Sequence, residues 1–248
     1  MIIEAFLLSL LAGSATGMGG LLVAFQERIS DRFIAGSMGF ASGVMLLISF
    51  LNLFVEAIDL TSYLNVSIAF TIGSILMMII DIFLPHLELG RKEDGIIKSR
   101  LLHSGTLILI GITLHNIPEG LIISAGFSRL PQLGILIAIA VFFHNFPEGV
   151  ATAIPLKSAG MEKRKVLLVT LSSGLAEPLG ALLGSTLLSN ASEEIIGFTL
   201  AFAAGVMVYI TADELIPIAH EYGQKHTVSI GILLGIIFIM ILNTFLRH

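Results

Sequence analysis

Long apolar stretches, each about as long as a bilayer is thick, alternate with short polar ones along the whole chain. At about 20 residues per spanning helix, they divide into 4–26, 34–57, 66–86, 102–125, 132–155, 166–189, 195–218 and 227–246. The pattern predicts an all-α polytopic membrane protein of eight spans. Polar residues break into two of these runs with the same text: "HNIPEG" at 115–120 and "HNFPEG" at 144–149.

The apolar pattern also repeats. "FASGVMLLISFLNLFVEA" at 40–57 matches "FAAGVMVYITADELIPIA" at 202–219 without a gap, pairing Gly43 with Gly205 and Met45 with Met207. "AGSATGMGGLL" at 12–22 aligns with "SGLAEPLGALL" at 173–183 in the same way. Spans 1–3 and 6–8 therefore read as related units, with spans 4 and 5 between them. Partners lie an odd number of spans apart and cross the bilayer in opposite directions, which predicts a 3+2+3 inverted-repeat bundle. Residues 1–248 form a single transmembrane domain in this reading, with 87–101 as a short loop.

Composition agrees with the pattern. Of 248 residues, 55% are hydrophobic and 12% charged, at a mean hydropathy of +0.97, against roughly a quarter charged in soluble domains. The N-terminal run "MIIEAFLLSLLAGSATG" has Glu4 where a signal peptide carries basic residues, so it reads as a retained first span.

Net charge is −5, and the basic residues sit in short loops rather than in a patch, so no nucleic-acid partner is expected. The loops after spans 1, 3, 5 and 7 carry Arg28, Arg32, Arg91, Lys92, Lys98, Arg100, Lys157, Lys163, Arg164, Lys165 and Lys225. The other side offers Arg129 and Arg247. By the positive-inside rule both termini face away from the cytoplasm, in a multi-pass protein of the cell membrane.

Cysteine is absent, which excludes disulfides and thiolate metal sites. The chemistry must come from the twin motifs. His and Glu four residues apart share one helical face, with Asn about 100° round from His. Pro118 and Pro147 remove the N–H that would bond the carbonyls of Leu114 and Phe143, predicting a helix break. Gly120 and Gly149 permit close helix approach.

Glu119 and Glu148 would cost several kcal/mol each if buried unpaired in hydrocarbon, and no Lys or Arg lies at that depth. They carry protons, or a cation sits between them. Two imidazoles (His115, His144), two amide oxygens (Asn116, Asn145) and two carboxylates favour a cation such as Zn²⁺, Fe²⁺ or Mn²⁺ over Ca²⁺ or Cu⁺. Two carboxylates can also bridge two ions. Glu177, before Pro178 in span 6, adds a further acid as a second-site ligand.

Other polar residues admit two readings each. Asp213 and Glu214 line an ion pathway or cap a helix end. Asp81 and His86 form an exit or entry station or an interfacial anchor. His220, with Glu221 and His226, captures metal or is simply solvated. Met45 is a soft ligand or packing filler, and Gly13, Gly17 and Gly20 serve helix packing.

The twin motifs, the "AEPLGA" of span 6 and the "DELIP" of span 7 together resemble the ZIP (Zrt-/Irt-like) divalent metal transporter family in its GufA-like prokaryotic branch. The resemblance covers essentially the whole chain. It implies a binuclear site between spans 4 and 5, with His115, Asn116, Glu119, His144, Asn145, Glu148 and Glu177 as ligands and Met45 as an additional one. It also implies elevator-like alternating access in a homodimer, carrying Zn²⁺ or a related ion toward the cytoplasm as cargo, with no resident cofactor. The loop "ELGRKEDGIIKSRLLHSG" is short and poor in histidine, a departure from many eukaryotic members. A transporter rather than an enzyme is expected, since H-E-x-x-H is missing and duplicated opposed helices suit alternating access better than a hydrolase pocket. A proton- or Na⁺-coupled carrier for an organic solute is the other rival, and the paired His and Asn residues disfavour it.

Overall fold

The computed structural model of the chain describes residues 2–26, 28–83, 97–223 and 225–246, with the backbone alone for 83 and 97–112. His86, Arg247 and residues 87–96 of the expected loop fall outside the described residues. Residues 97–101, the end of the expected loop, are helical.

Among the described residues the regular structure is helix alone. Eight rods follow in order: α1 (Ile2–Phe25), α2 (Asp31–Leu60), α3 (Tyr63–Phe83), α4 (Ile97–Arg129), α5 (Pro131–Ser158), α6 (Lys163–Leu188), α7 (Glu193–Tyr222) and α8 (Lys225–Leu246). All but α4 are long and apolar enough, among the described residues, to cross a membrane. The protein is an all-α, multi-pass membrane protein.

Local chemistry sets the ends. Ser30 and Ser192 cap α2 and α7, their hydroxyls accepting from the N–H of Phe33 at 3.3 Å and Ile195 at 3.4 Å. Asp31, Glu193 and Glu194 follow in the first turns, where negative charge meets the positive helix end. Pro131 opens α5, where its missing N–H has no intrahelical partner to lose.

Pro118 and Pro147 do not break their helices, contrary to the sequence-based expectation: α4 and α5 run through both. Proline is tolerated inside a membrane helix where its surroundings make up for the missing N–H. The interruption falls in α6 at Leu175. Pro178 lacks the N–H that would bond the Gly174 carbonyl, and one helical segment ends there while another begins.

Two rods widen into π-helical turns, α2 at Ile48–Phe54 and α7 at Thr211–Leu215. The ungapped alignment sets 48–54 against 210–216, so the widened turns fall on matched positions. Such turns are frequent at functional sites.

The rods sort into two bundles by packing: α1, α4, α5 and α6 in one, α2, α3, α7 and α8 in the other. The bundles touch chiefly through α2 against α5 and α4 against α7. The most apolar window of α5 is 72% buried, whereas those of α3 and α8 are 22% buried, so α5 is central and the other two are peripheral. Partners exchange under the repeat: α1 packs on α5 as α6 packs on α4, and α2 packs on α8 as α7 packs on α3.

Glycine contacts reproduce the same exchange. A Cβ on Gly149 would strike the backbone of Thr16, and one on Gly120 would strike that of Glu177, the residue aligned with Thr16. Gly13 faces Gly174, Gly17 faces Leu171 and Gly20 faces Thr170. Numbers rise along α1 as they fall along α6, so these aligned helices run antiparallel.

Candidate metal centre

The α4–α5 hairpin turns over Leu130, a residue held in extended backbone. Gly134 lies against Gly126 and the Phe127 ring, so the two helices pack closely from the turn onward. That approach brings the twin motifs face to face in opposite directions. His115, Asn116, Glu119, His144, Asn145, Glu148 and Glu177 are all buried, at 0–5% exposure.

At the centre, His144 Nε2 lies 2.9 Å from Glu119 Oε1. Glu119, His144 and Glu148 each offer a ligand atom within 4.8 Å of the others. Neither His115 nor Glu177 joins that tight triad. His115 instead turns Nδ1 toward Glu214 Oε2 of α7 at 3.5 Å, too long for a strong hydrogen bond. Glu177 is held from α5, accepting from Asn145 Nδ2 at 2.7 Å.

The asparagines are clamped by the repeat. Asn116 Nδ2 donates to the Ser173 carbonyl at 2.9 Å, and Asn145 Nδ2 donates to the Ala12 carbonyl at 3.2 Å. Ala12 and Ser173 are aligned residues. With the amide nitrogens tied to backbone, Oδ1 of each is left for something else.

Several buried polar atoms have no hydrogen-bond partner among the described residues. They include Oδ1 of Asn116 and Asn145, Oε2 of Glu119 and Glu148, Oε1 of Glu177, Nδ1 of His144 and Nε2 of His115. Buried polar atoms are nearly always satisfied, and each exception needs an explanation. Among the described residues, the Lys and Arg ion pairs are Arg129 with Glu56 and Lys165 with Glu162, and neither touches the cluster. Electron-pair donors gathered without cationic partners make a site suited to a dication.

The remaining candidates are placed as follows. Asp81 of α3 is buried and accepts from the Tyr209 hydroxyl of α7 at 3.0 Å. Asp213 is exposed and Glu214 half-buried on the widened turn of α7, while His220 is exposed. Met45 is buried in the packed interior of α2. Sequence reasoning missed the approach of Glu214 to His115 and the clamps on Ser173 and Ala12. The repeat carried the signal for the clamps, since one asparagine bond predicts the other.

Residues 89–243 match the family model described as ZIP Zinc transporter. Zinc transporter ZupT of Chlorobaculum parvum is 37% identical over 263 residues, covering 99% of this chain and 98% of the relative. ZupT of Corynebacterium glutamicum is 41% identical over 249 residues, covering 93% and 94%. That of Streptococcus mutans is 35% identical over 252 residues, covering 96% and 95%. Similarity of this extent, over a chain whose buried donors converge as described, places the protein by descent: it belongs to the ZIP zinc transporter family.

Proposed function

We propose that the protein carries Zn²⁺ across the cell membrane into the cytoplasm, with Fe²⁺, Mn²⁺ and Cd²⁺ as competing cargo. The observation that carries this reading is the convergence of Glu119, His144 and Glu148 within 4.8 Å in a buried interior. Relatives named as zinc transporters along nearly the full length support the choice of ion. In this reading α4 also crosses the membrane, bringing the spans to eight, and both termini lie outside the cytoplasm.

His115, Asn116, Glu119, His144, Asn145, Glu148 and Glu177 supply the ligands. Glu119 and Glu148 each present two oxygens, which allows a carboxylate bridge between two ions. All seven residues ride on α4, α5 and α6, within one of the two bundles. Cargo and ligands therefore move together when that bundle shifts against α2, α3, α7 and α8, the general design of transporters built from inverted repeats. Glu214 meets the ion from the second bundle, at its pathway rather than in its cage. The peripheral faces of α3 and α8 contact lipid or a second copy of the chain.

The test is radioactive zinc uptake by proteoliposomes. Glu119→Gln and Glu148→Gln keep the shape and remove the charge. Each is expected to lower uptake at least about tenfold, as loss of a charged buried contact does, while the purified variants stay monodisperse. Uptake equal to the parent protein in both variants refutes the assignment.

A further inference from the structure

Thr16 holds a place in the site that the repeat gives to a carboxylate on the other side. It aligns with Glu177, is fully buried, and its Oγ1 has no hydrogen-bond partner among the described residues. Threonine in a helix commonly turns its hydroxyl back to the carbonyl four residues earlier. Thr71, Thr152, Thr199 and Thr211 all do so here. For Thr16 that carbonyl belongs to Ala12, which already accepts from Asn145.

The two halves of the site differ at this point. Asn145 uses its amide nitrogen twice, toward the Ala12 carbonyl and toward Glu177 Oε2. Asn116 bonds the Ser173 carbonyl, and the residue aligned with the second partner of Asn145 is Thr16, whose Oγ1 accepts no such bond. Backbone packing is otherwise equivalent, with Thr16 against Gly149 and Glu177 against Gly120. The Thr16 hydroxyl is thus left without a bond where its aligned partner Glu177 accepts one, beside the buried donors of α4 and α5. A buried hydroxyl left unsatisfied in this way is a natural partner for a water molecule.

We propose that Thr16 is the neutral oxygen contact of the metal site on the side opposite Glu177, and that its hydroxyl holds a water carried by the bound dication. The inference rests on the transport reading above. Its consequence is for specificity and release. Three buried carboxylates face the ion, and a fourth at position 16 would bind it more tightly and free it more slowly. The mismatch between Thr16 and Glu177 keeps the site strong enough to select and weak enough to discharge, the balance any permeation site must strike. A hydroxyl that merely packs predicts none of this.

Zinc binding by the detergent-purified protein, measured by equilibrium dialysis, separates the readings. Thr16→Val removes the hydroxyl at constant volume and is expected to weaken binding about tenfold, the scale of one hydrogen bond in a charged setting. Thr16→Ser retains the hydroxyl and is expected to bind within about twofold of the parent protein, by the same scale. Thr16→Glu is expected to bind more tightly while zinc uptake falls. Thr16→Ala serves as the second hydroxyl-free variant should the valine not yield monodisperse protein. Binding by the hydroxyl-free variant equal to that of the parent overturns the proposal. So does serine as weak as valine, which would assign the effect to the methyl group, or weaker binding by the glutamate variant. Glu119→Gln is the control for the underlying reading: if it binds zinc normally the site itself is misplaced, whereas its loss beside an unaffected Thr16→Val sinks the Thr16 inference alone.

Discussion

Each asparagine of the twin motifs does two jobs with one side chain. The nitrogen of Asn116 fastens α4 to the Ser173 carbonyl of α6, and the oxygen is left without a partner among the described residues. Asn116→Asp keeps an oxygen but sets an acceptor against a carbonyl. The expected cost is about 1–3 kcal/mol of stability, read as a lowered Tm in detergent; an unchanged Tm would deny the clamp. His144 and Glu119 are coupled in a different way. A proton on His144 makes an ion pair with Glu119 at 2.9 Å, which withdraws two donors from a metal at once. Metal competes with protons for such ligands. Zinc uptake should therefore fall as the loading side is acidified, and uptake that does not respond to acid counts against these donors. The six residues of the twin motifs stood out in the sequence because polar groups repeated in register are conspicuous in an apolar run, and Glu177 because it is an acid inside one. Thr16 did not, because a lone threonine among small residues looks like packing until its expected acceptor is found occupied.

Among the elements, hydropathy marked the rods well and their ends less well. The apolar window predicted 102–125 for the fourth span where α4 runs Ile97–Arg129, and 195–218 for the seventh where α7 runs Glu193–Tyr222. Helices outlast the apolar run because their last turns reach into polar surroundings, where hydropathy carries no signal. The prolines of the twin motifs were misread as breaks since proline cost is judged in water, while packed neighbours decide it inside a bundle. The widened turns at Ile48–Phe54 and Thr211–Leu215 left no compositional trace. Glycine at the α1–α5 and α4–α6 contacts was legible, and its role is testable. Gly120→Leu and Gly149→Leu each drive a side chain into a facing backbone, a misfit of about 1–3 kcal/mol or more. Both should lower Tm and abolish zinc uptake although neither glycine is itself a ligand; a variant with full uptake would show that the contact is not needed.

For the molecule as a whole, the two bundles are joined differently at their two ends. Arg129, at the end of α4, pairs with Glu56 of α2 at 3.4 Å, one residue from each bundle. Asn52 of α2 and Asn243 of α8 bond reciprocally at 2.7 and 3.3 Å, both within the second bundle. The chain has no cysteine, so engineered thiols report on chosen pairs only. A short bismaleimide across Glu56→Cys and Arg129→Cys should arrest uptake, while one across Asn52→Cys and Asn243→Cys should leave most of it. Equal effects would mean that the bundles do not move past one another. The opposite end differs in shape. A cavity of about 320 Å³ opens there, lined by Val23, Gln26, Asp31, Ile34, Lys157 and Tyr222 among others, with the Lys157 ammonium anchored to the Val23 and Gln26 carbonyls at the close of α1. Its lining comes from both bundles, so the seam between them is open to solvent at that end. In deuterated buffer, the amides flanking Ile34 and Ile154 should exchange ahead of those flanking Glu56 and Arg129, dating the direction from which solvent first reaches the interior.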